Sequence, residues 1–153
     1  MKDHISYLKY VLRHKFFVLM ACRLTGASLW RGFVHDLSKF RPSEWIPYTH
    51  TFYAKDGSKR YKPTLDFDLA WNAHQKRNPH HHQYWTILRD DSTIETLPMF
   101  EVYVREMIAD WVGAGIAITG YNEVHKWYEK NKDKMRLHPD TRELVEKVLE
   151  EIR

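Results

Sequence analysis

Five places along this chain set metal-ligating residue types inside or beside apolar runs: His14, the pair His35-Asp36, His74, the cluster His80-His81-His82, and Asp110. Imidazole nitrogen and carboxylate oxygen are the donors that hold divalent zinc, iron, manganese, nickel or cobalt. Asp110 is the most telling single residue. It lies in Met107-Ile108-Ala109-Asp110-Trp111-Val112, where a buried carboxylate needs a partner because an unpaired buried charge is costly. A cation that gathers several such groups offsets that cost. Glu106, one helical turn earlier, could share the face of Asp110. Taken singly, the other pieces have plainer readings: His14 as a hydrogen-bonded core histidine, His35-Asp36 as a helix end, and the three consecutive histidines as a polar turn. The chain holds ten histidines, and it is their joint placement that points to a metal.

The elements that must position these residues read as helices. Residues from about Asp3 to Leu24 form one long helix in which Leu8, Val11, Leu12, Lys15, Phe16, Leu19 and Met20 keep the spacing of a buried stripe, with Gly26 ending it. A shorter helix is expected from Ser28 to about Leu37. Pro42-Ser43-Glu44 looks like another helix start, carrying Trp45, Ile46, Tyr48 and Phe52 toward a core. The segment Lys55–Arg60 is a polar loop, and Asp66–Arg77 a helix that Asn78-Pro79 stops and then restarts. Around 85–97 a small hairpin or an ordered loop is expected. Pro98 opens a second long helix through about Thr119, with Met99, Val102, Tyr103, Met107, Ile108, Trp111 and Val112 on a broad buried face. After Gly120, Tyr121 to about Lys134 is helical, and a final amphipathic helix carries the stripe Leu144, Val145, Val148, Leu149 and Ile152. The expected fold is all-α, a single compact helical bundle over residues 1–153, with no repeat and no linker.

Composition bounds the function. At 153 residues with 43% hydrophobic content and six tryptophans, the chain can bury a core unaided and is not disordered. A single cysteine, Cys22, excludes an intramolecular disulfide and a cysteine-based zinc site, and nothing beside it in sequence would favour a thiolate. The longest apolar run near it is too short to span a bilayer. A cytoplasmic protein without membrane association fits these features. The net charge of +4 suits an anionic substrate. Acidic residues are interspersed nearly everywhere, however, and there is no dense basic stripe, which argues against a nucleic-acid partner.

The order His14 … His35-Asp36 … His74 … His81 … Asp110 resembles the H…HD…H…H…D signature of the HD-domain superfamily. The run His35-Asp36-Leu37-Ser38-Lys39-Phe40 with Glu44, the block His74 with Asn78-Pro79-His80-His81, and Met107–Trp111 are similar to blocks in small HD-like proteins of bacteria and their phages. The resemblance covers about residues 14–111. It implies that His14, His35, Asp36 and Asp110 hold one metal. It implies that His74 and one of His80 or His81 hold a second, with Asp36 bridging. His74 and His81 lie closer in sequence than the middle histidines of binuclear members, so one ion or two both remain open, and His80 could contact substrate instead. Such a centre lowers the pKa of bound water and polarises a phosphoryl oxygen, which suits a phosphohydrolase acting on a nucleotide or another small phosphorylated molecule. Lys39 and Arg77 are candidate phosphate contacts, and Glu44 a candidate general base or further ligand. The same ligand order also resembles the di-iron oxygenases of that superfamily, and a non-enzymatic helical binding protein is a third reading. The C-terminal helix could cover its own core or pair with a second copy in a homodimer.

Overall fold

The structure is a computed structural model describing residues 1–153. It contains seven helices in the order α1 (Lys2–Thr25), α2 (Leu29–Val34), α3 (Pro42–Phe52), α4 (Leu65–Arg77), α5 (Glu101–Thr119), α6 (Val124–Asn131) and α7 (Pro139–Glu151). Short 3-10 turns at Leu37–Phe40, His82–Trp85 and Lys132–Lys134 join them, and the only sheet is a hairpin of β1 (Thr86–Leu88) and β2 (Ile94–Thr96). The hairpin pairs Thr86 with Thr96 and Leu88 with Ile94. The all-α expectation holds, hairpin included. No helix is long and apolar enough to cross a membrane.

The long helices α1 and α5 run antiparallel and form the spine. Val18, Val104, Met107, Ile108, Ala109 and Val112 are buried between them, and the stripe Val145, Val148, Leu149 of α7 closes the same core. Gly113 makes the close approach possible. A Cβ there would sit 2.6 Å from the backbone nitrogen of Val18. A second, smaller core of Tyr7, Val11, Tyr48, Tyr53, Phe67 and Ala70 joins the start of α1 to α3 and α4. The metal-ligand candidates lie where these two cores meet. Gly26 ends α1 in the left-handed conformation with φ 70°, which glycine adopts without a Cβ clash. Thr64 starts α4 by accepting a hydrogen bond from the Phe67 amide at 3.3 Å.

Several expectations need correction. The buried face of α1 is Asp3, Tyr7, Val11, His14, Val18, Ala21, Cys22 and Thr25, so of the expected stripe only Val11 is fully buried. Leu8, Leu12, Phe16 and Met20 are exposed. The helix carries two apolar faces, and the one with small residues wins because it lets α5 approach closely. Ile46 and Val102 are likewise exposed rather than buried. The second helix ends at Val34, short of Leu37, and α5 begins at Glu101 rather than Pro98. Asn78-Pro79 does not restart a helix; a turn and a 3-10 segment follow. Its backbone is used instead to turn His80 and His81 back toward α4.

Candidate metal centre

The site grows from Asp36. This residue adopts the left-handed conformation, φ 55° and ψ 24°, immediately after α2, a region that aspartate tolerates better than most residues. The sharp turn lets two adjacent residues, His35 and Asp36, enter one cavity, and both are buried. The Oδ2 of Asp36 lies 3.3 Å from His35 Nε2 and 3.7 Å from His14 Nε2. Its Oδ1 faces the other way, 3.3 Å from His74 Nε2 and 3.4 Å from His80 Nε2. Asp110 completes the first side, with Oδ1 3.1 Å from His14 Nε2 and 3.4 Å from His35 Nε2.

Two groups of four donors therefore share one carboxylate: His14, His35, Asp36 and Asp110, and Asp36, His74, His80 and His81. Donors held about 2.0–2.2 Å from a common cation in a tetrahedron lie about 3.3–3.6 Å apart. The spacings of 3.1 to 3.7 Å around Oδ2 and Asp110 match that size. The hydrogen-bond pattern points the same way. Nε2 of His14, His35, His74, His80 and His81 and Oδ1 of Asp36 are buried with no well-aligned hydrogen bond, and Asp36 Oδ2 has the Lys39 ammonium 2.6 Å away. Buried polar atoms are almost always well paired, so this many imidazole nitrogens and carboxylate oxygens crowded together without well-aligned hydrogen bonds is compatible with a centre that holds cations. Nitrogen and carboxylate donors without sulfur suit zinc, iron, manganese, nickel or cobalt.

Behind each side stands an outer carboxylate held by an arginine. Glu44 is fully buried and lies 2.8 Å from His74 Nδ1, while Arg77 Nη1 donates to its other oxygen at 2.6 Å and Ser38 Oγ donates at 2.9 Å. Glu106 lies 3.2 Å from His35 Nδ1 and 3.3 Å from His80 Nδ1, and Arg31 Nη1 donates to it at 3.0 Å. A carboxylate can only accept, so it fixes the proton on Nδ1 and leaves the Nε2 lone pair for a ligand role. Asn78 Nδ2 adds a hydrogen bond to Ser38 Oγ at 3.0 Å and one to the His74 carbonyl at 2.8 Å.

The electrostatics follow from this crowding. Burial works against the charged forms of Asp36 and Asp110, but the neighbouring histidines, with Lys39 on Asp36, hold both far below the ordinary carboxylate range. Burial is outweighed in the same way at Glu106, which His35 and His80 bring down to about 2. The pKa of His35 is carried well above its ordinary value by Asp36, Asp110 and Glu106 against the effect of burial. His81 moves down, through burial and then the charge on His80. Lys39 Nζ lies 2.6 Å from Asp36 Oδ2 and is held protonated by it.

The structure thus brings together His14, His35, Asp36, His74, His80, His81 and Asp110, with Lys39 at their edge. His82 is not in the group. Glu44, expected as base or ligand, stands behind His74, and Arg77, expected on a phosphate, is paired with Glu44. Glu106 and Arg31 form the corresponding outer pair that the sequence reading did not assign. The signal for Glu106 was its place one turn before Asp110 on a buried face; Arg31 left none. Asp110 is the open side of the centre, its side chain 16% exposed where those of His14, His35 and His74 are at most 2%. A surface groove of about 660 Å³ between α6 and α7 shares no residue with the centre.

Fold and site together define an all-helical protein with a buried histidine–aspartate centre. By its sequence, the chain belongs to the family of unknown function DUF5662, whose model matches residues 3–151. No curated protein and no solved structure matches it.

Proposed function

We propose that this protein is a metal-dependent phosphohydrolase whose two donor groups hold a pair of divalent cations, acting on a nucleotide or another small phosphorylated molecule. The observation that carries the reading is the convergence of the Nε2 atoms of His14, His35, His74 and His80 on the two oxygens of Asp36 at 3.3–3.7 Å, with His81 in the second donor group. Bound there, divalent cations supply an activated water and polarise a phosphoryl oxygen.

The chain's own residues do the rest. Asp36 fixes the separation of the two groups because its oxygens point to opposite sides. Glu44 holds the His74 imidazole, and Glu106 those of His35 and His80, in one tautomer and orientation, which limits reorganisation on ligation. Lys39 balances the charge of Asp36, and its ammonium is the candidate contact for a phosphoryl oxygen. Arg77 acts through Glu44 and positions His74. Asp110 lies at the open side, so substrate enters past it and past the partly exposed His81.

Elemental analysis of protein purified without added cations, coupled to a phosphate-release screen over nucleotides and sugar phosphates, tests this. Two equivalents of metal and cation-dependent phosphate release are expected. Stoichiometric iron with dioxygen-dependent turnover would replace hydrolysis by the oxygenase reading. Absence of bound metal after reconstitution would remove both and leave the binding-protein reading.

A further inference from the structure

The outer face of α1 is not used by the metal centre, and it is unlike a solvated helix face. Leu8, Leu12, Phe16, Met20 and Leu24 are 38–57% exposed and follow one another at four-residue intervals. Such an i+4 row is one of the packing ridges by which helices interdigitate. Beside it, α2 packs on the flank marked by Leu19 and Cys22, which Gly32 touches, and Lys15 donates to the Phe33 carbonyl at 3.2 Å. On α2 the stacked pair Trp30 and Phe33 is 68% and 61% exposed. These residues with Ile5 together leave on the order of 900 Å² exposed. A standard interface buries roughly 800 Å² per partner.

We infer that α1 is a self-association surface, pairing with α1 of a second copy of this chain across a two-fold axis near Phe16. Two properties of the ridge select this occupant. Successive knobs four residues apart are rotated by about 40° around the helix, so a flat surface would touch only the middle of the row. A helix crossing at about −50° with the same row follows that rotation, and the identical ridge of a second copy is self-complementary in an isologous contact. The charges then fall at the rim. Lys2, Lys9, Arg13 and Arg23 are exposed on α1, and its single acidic residue, Asp3, is buried. Like charges at the rims repel across the pair, so added salt strengthens the association by screening them. An anionic partner would respond to salt in the opposite sense.

The surface is separate from the metal centre, since His14 leaves the opposite face of the same helix, and the inference does not rest on the proposed activity. Sedimentation of the full chain across micromolar concentrations, at low and high salt, reads it directly. A mass of twice 18.5 kDa is expected, with the dimer favoured at high salt. Phe16→Glu should weaken association by roughly 30-fold or more, as for loss of a central hot-spot side chain, with metal content and circular dichroism unchanged. Phe16→Cys gives a second reading, because the native Cys22 is fully buried: under mild oxidation it should form a disulfide-linked dimer. A monomer at every concentration, or a dimer indifferent to Phe16→Glu, overturns the inference. So does salt-sensitive binding of the monomer to anionic lipid vesicles in place of self-association.

Discussion

The two halves of the candidate metal centre are built differently around the same carboxylate. His14 and Asp110 come from the middles of α1 and α5, locked where Gly113 lets the helix backbones touch. His80 and His81 come from a turn, returned toward His74 by Asn78, Pro79 and the hydrogen bond from Trp85 Nε1 to the Pro79 carbonyl at 2.8 Å. Each half nevertheless has an arginine-held glutamate behind a histidine, Arg77–Glu44–His74 on one side and Arg31–Glu106–His35 on the other. Helix-borne ligands are placed by packing, turn-borne ligands by hydrogen bonds. The halves should therefore fail to different kinds of change.

The largest effect belongs to the residue they share. Asp36→Ala should take metal content from two equivalents to none and abolish any metal-dependent turnover; one retained equivalent would show that the halves are independent. Next, Gly113→Ala forces a methyl against the Val18 backbone. Overpacking of this kind costs about 1–3 kcal/mol, and by separating His14 from Asp110 it should lower metal affinity in the first half while the second still loads. Thermal melts and metal titrations read both numbers. Smaller again are the outer carboxylates. Glu44→Gln should weaken only the second half, and Glu106→Gln both, because Glu106 touches His35 and His80, each by about 10–100-fold in metal affinity. An equal effect of the two variants on both halves would erase the distinction.

The pH response is the finest of these tests. In the metal-free protein, carboxylates raise His35 against burial, and Asp36 and Glu44 raise His74 likewise. A raised folded-state pKa stabilises the fold below the unfolded value of about 6.5 and is lost as pH rises through the folded value. Cation binding needs the same nitrogens deprotonated, so it strengthens with pH. The gap in Tm between metal-loaded and chelator-treated protein should accordingly widen from about pH 6 to about pH 8. His138→Ala, remote from the centre, should leave metal content unchanged.

Much of the site was legible because ligand residues in apolar helices have few alternatives. Asp110 in a hydrophobic run called for a buried partner, and the His35-Asp36 pair gained meaning from its joint placement with the other histidines. The outer shell was less legible. Glu44 at a helix start looks like any first-turn carboxylate, and only the fold shows Arg77 and His74 closing on it. The faces of α1 were misread for a related reason. Periodicity locates apolar rows, but this helix has two, and sequence does not say which one meets a neighbour.

By itself the sequence determined the helical class and the approximate helix limits and named the candidate donors, leaving open which of His80, His81 and His82 joins them, since hydrophobic period, glycine and proline positions and residue chemistry are local properties. The tertiary structure alone decided that the two oxygens of Asp36 face opposite groups, that His80 and His81 both enter the second, and that the Leu8–Leu24 row is left uncovered. Those outcomes depend on where distant backbones cross, and the crossing is fixed by a contact between Gly113 and Val18 that neither residue encodes alone.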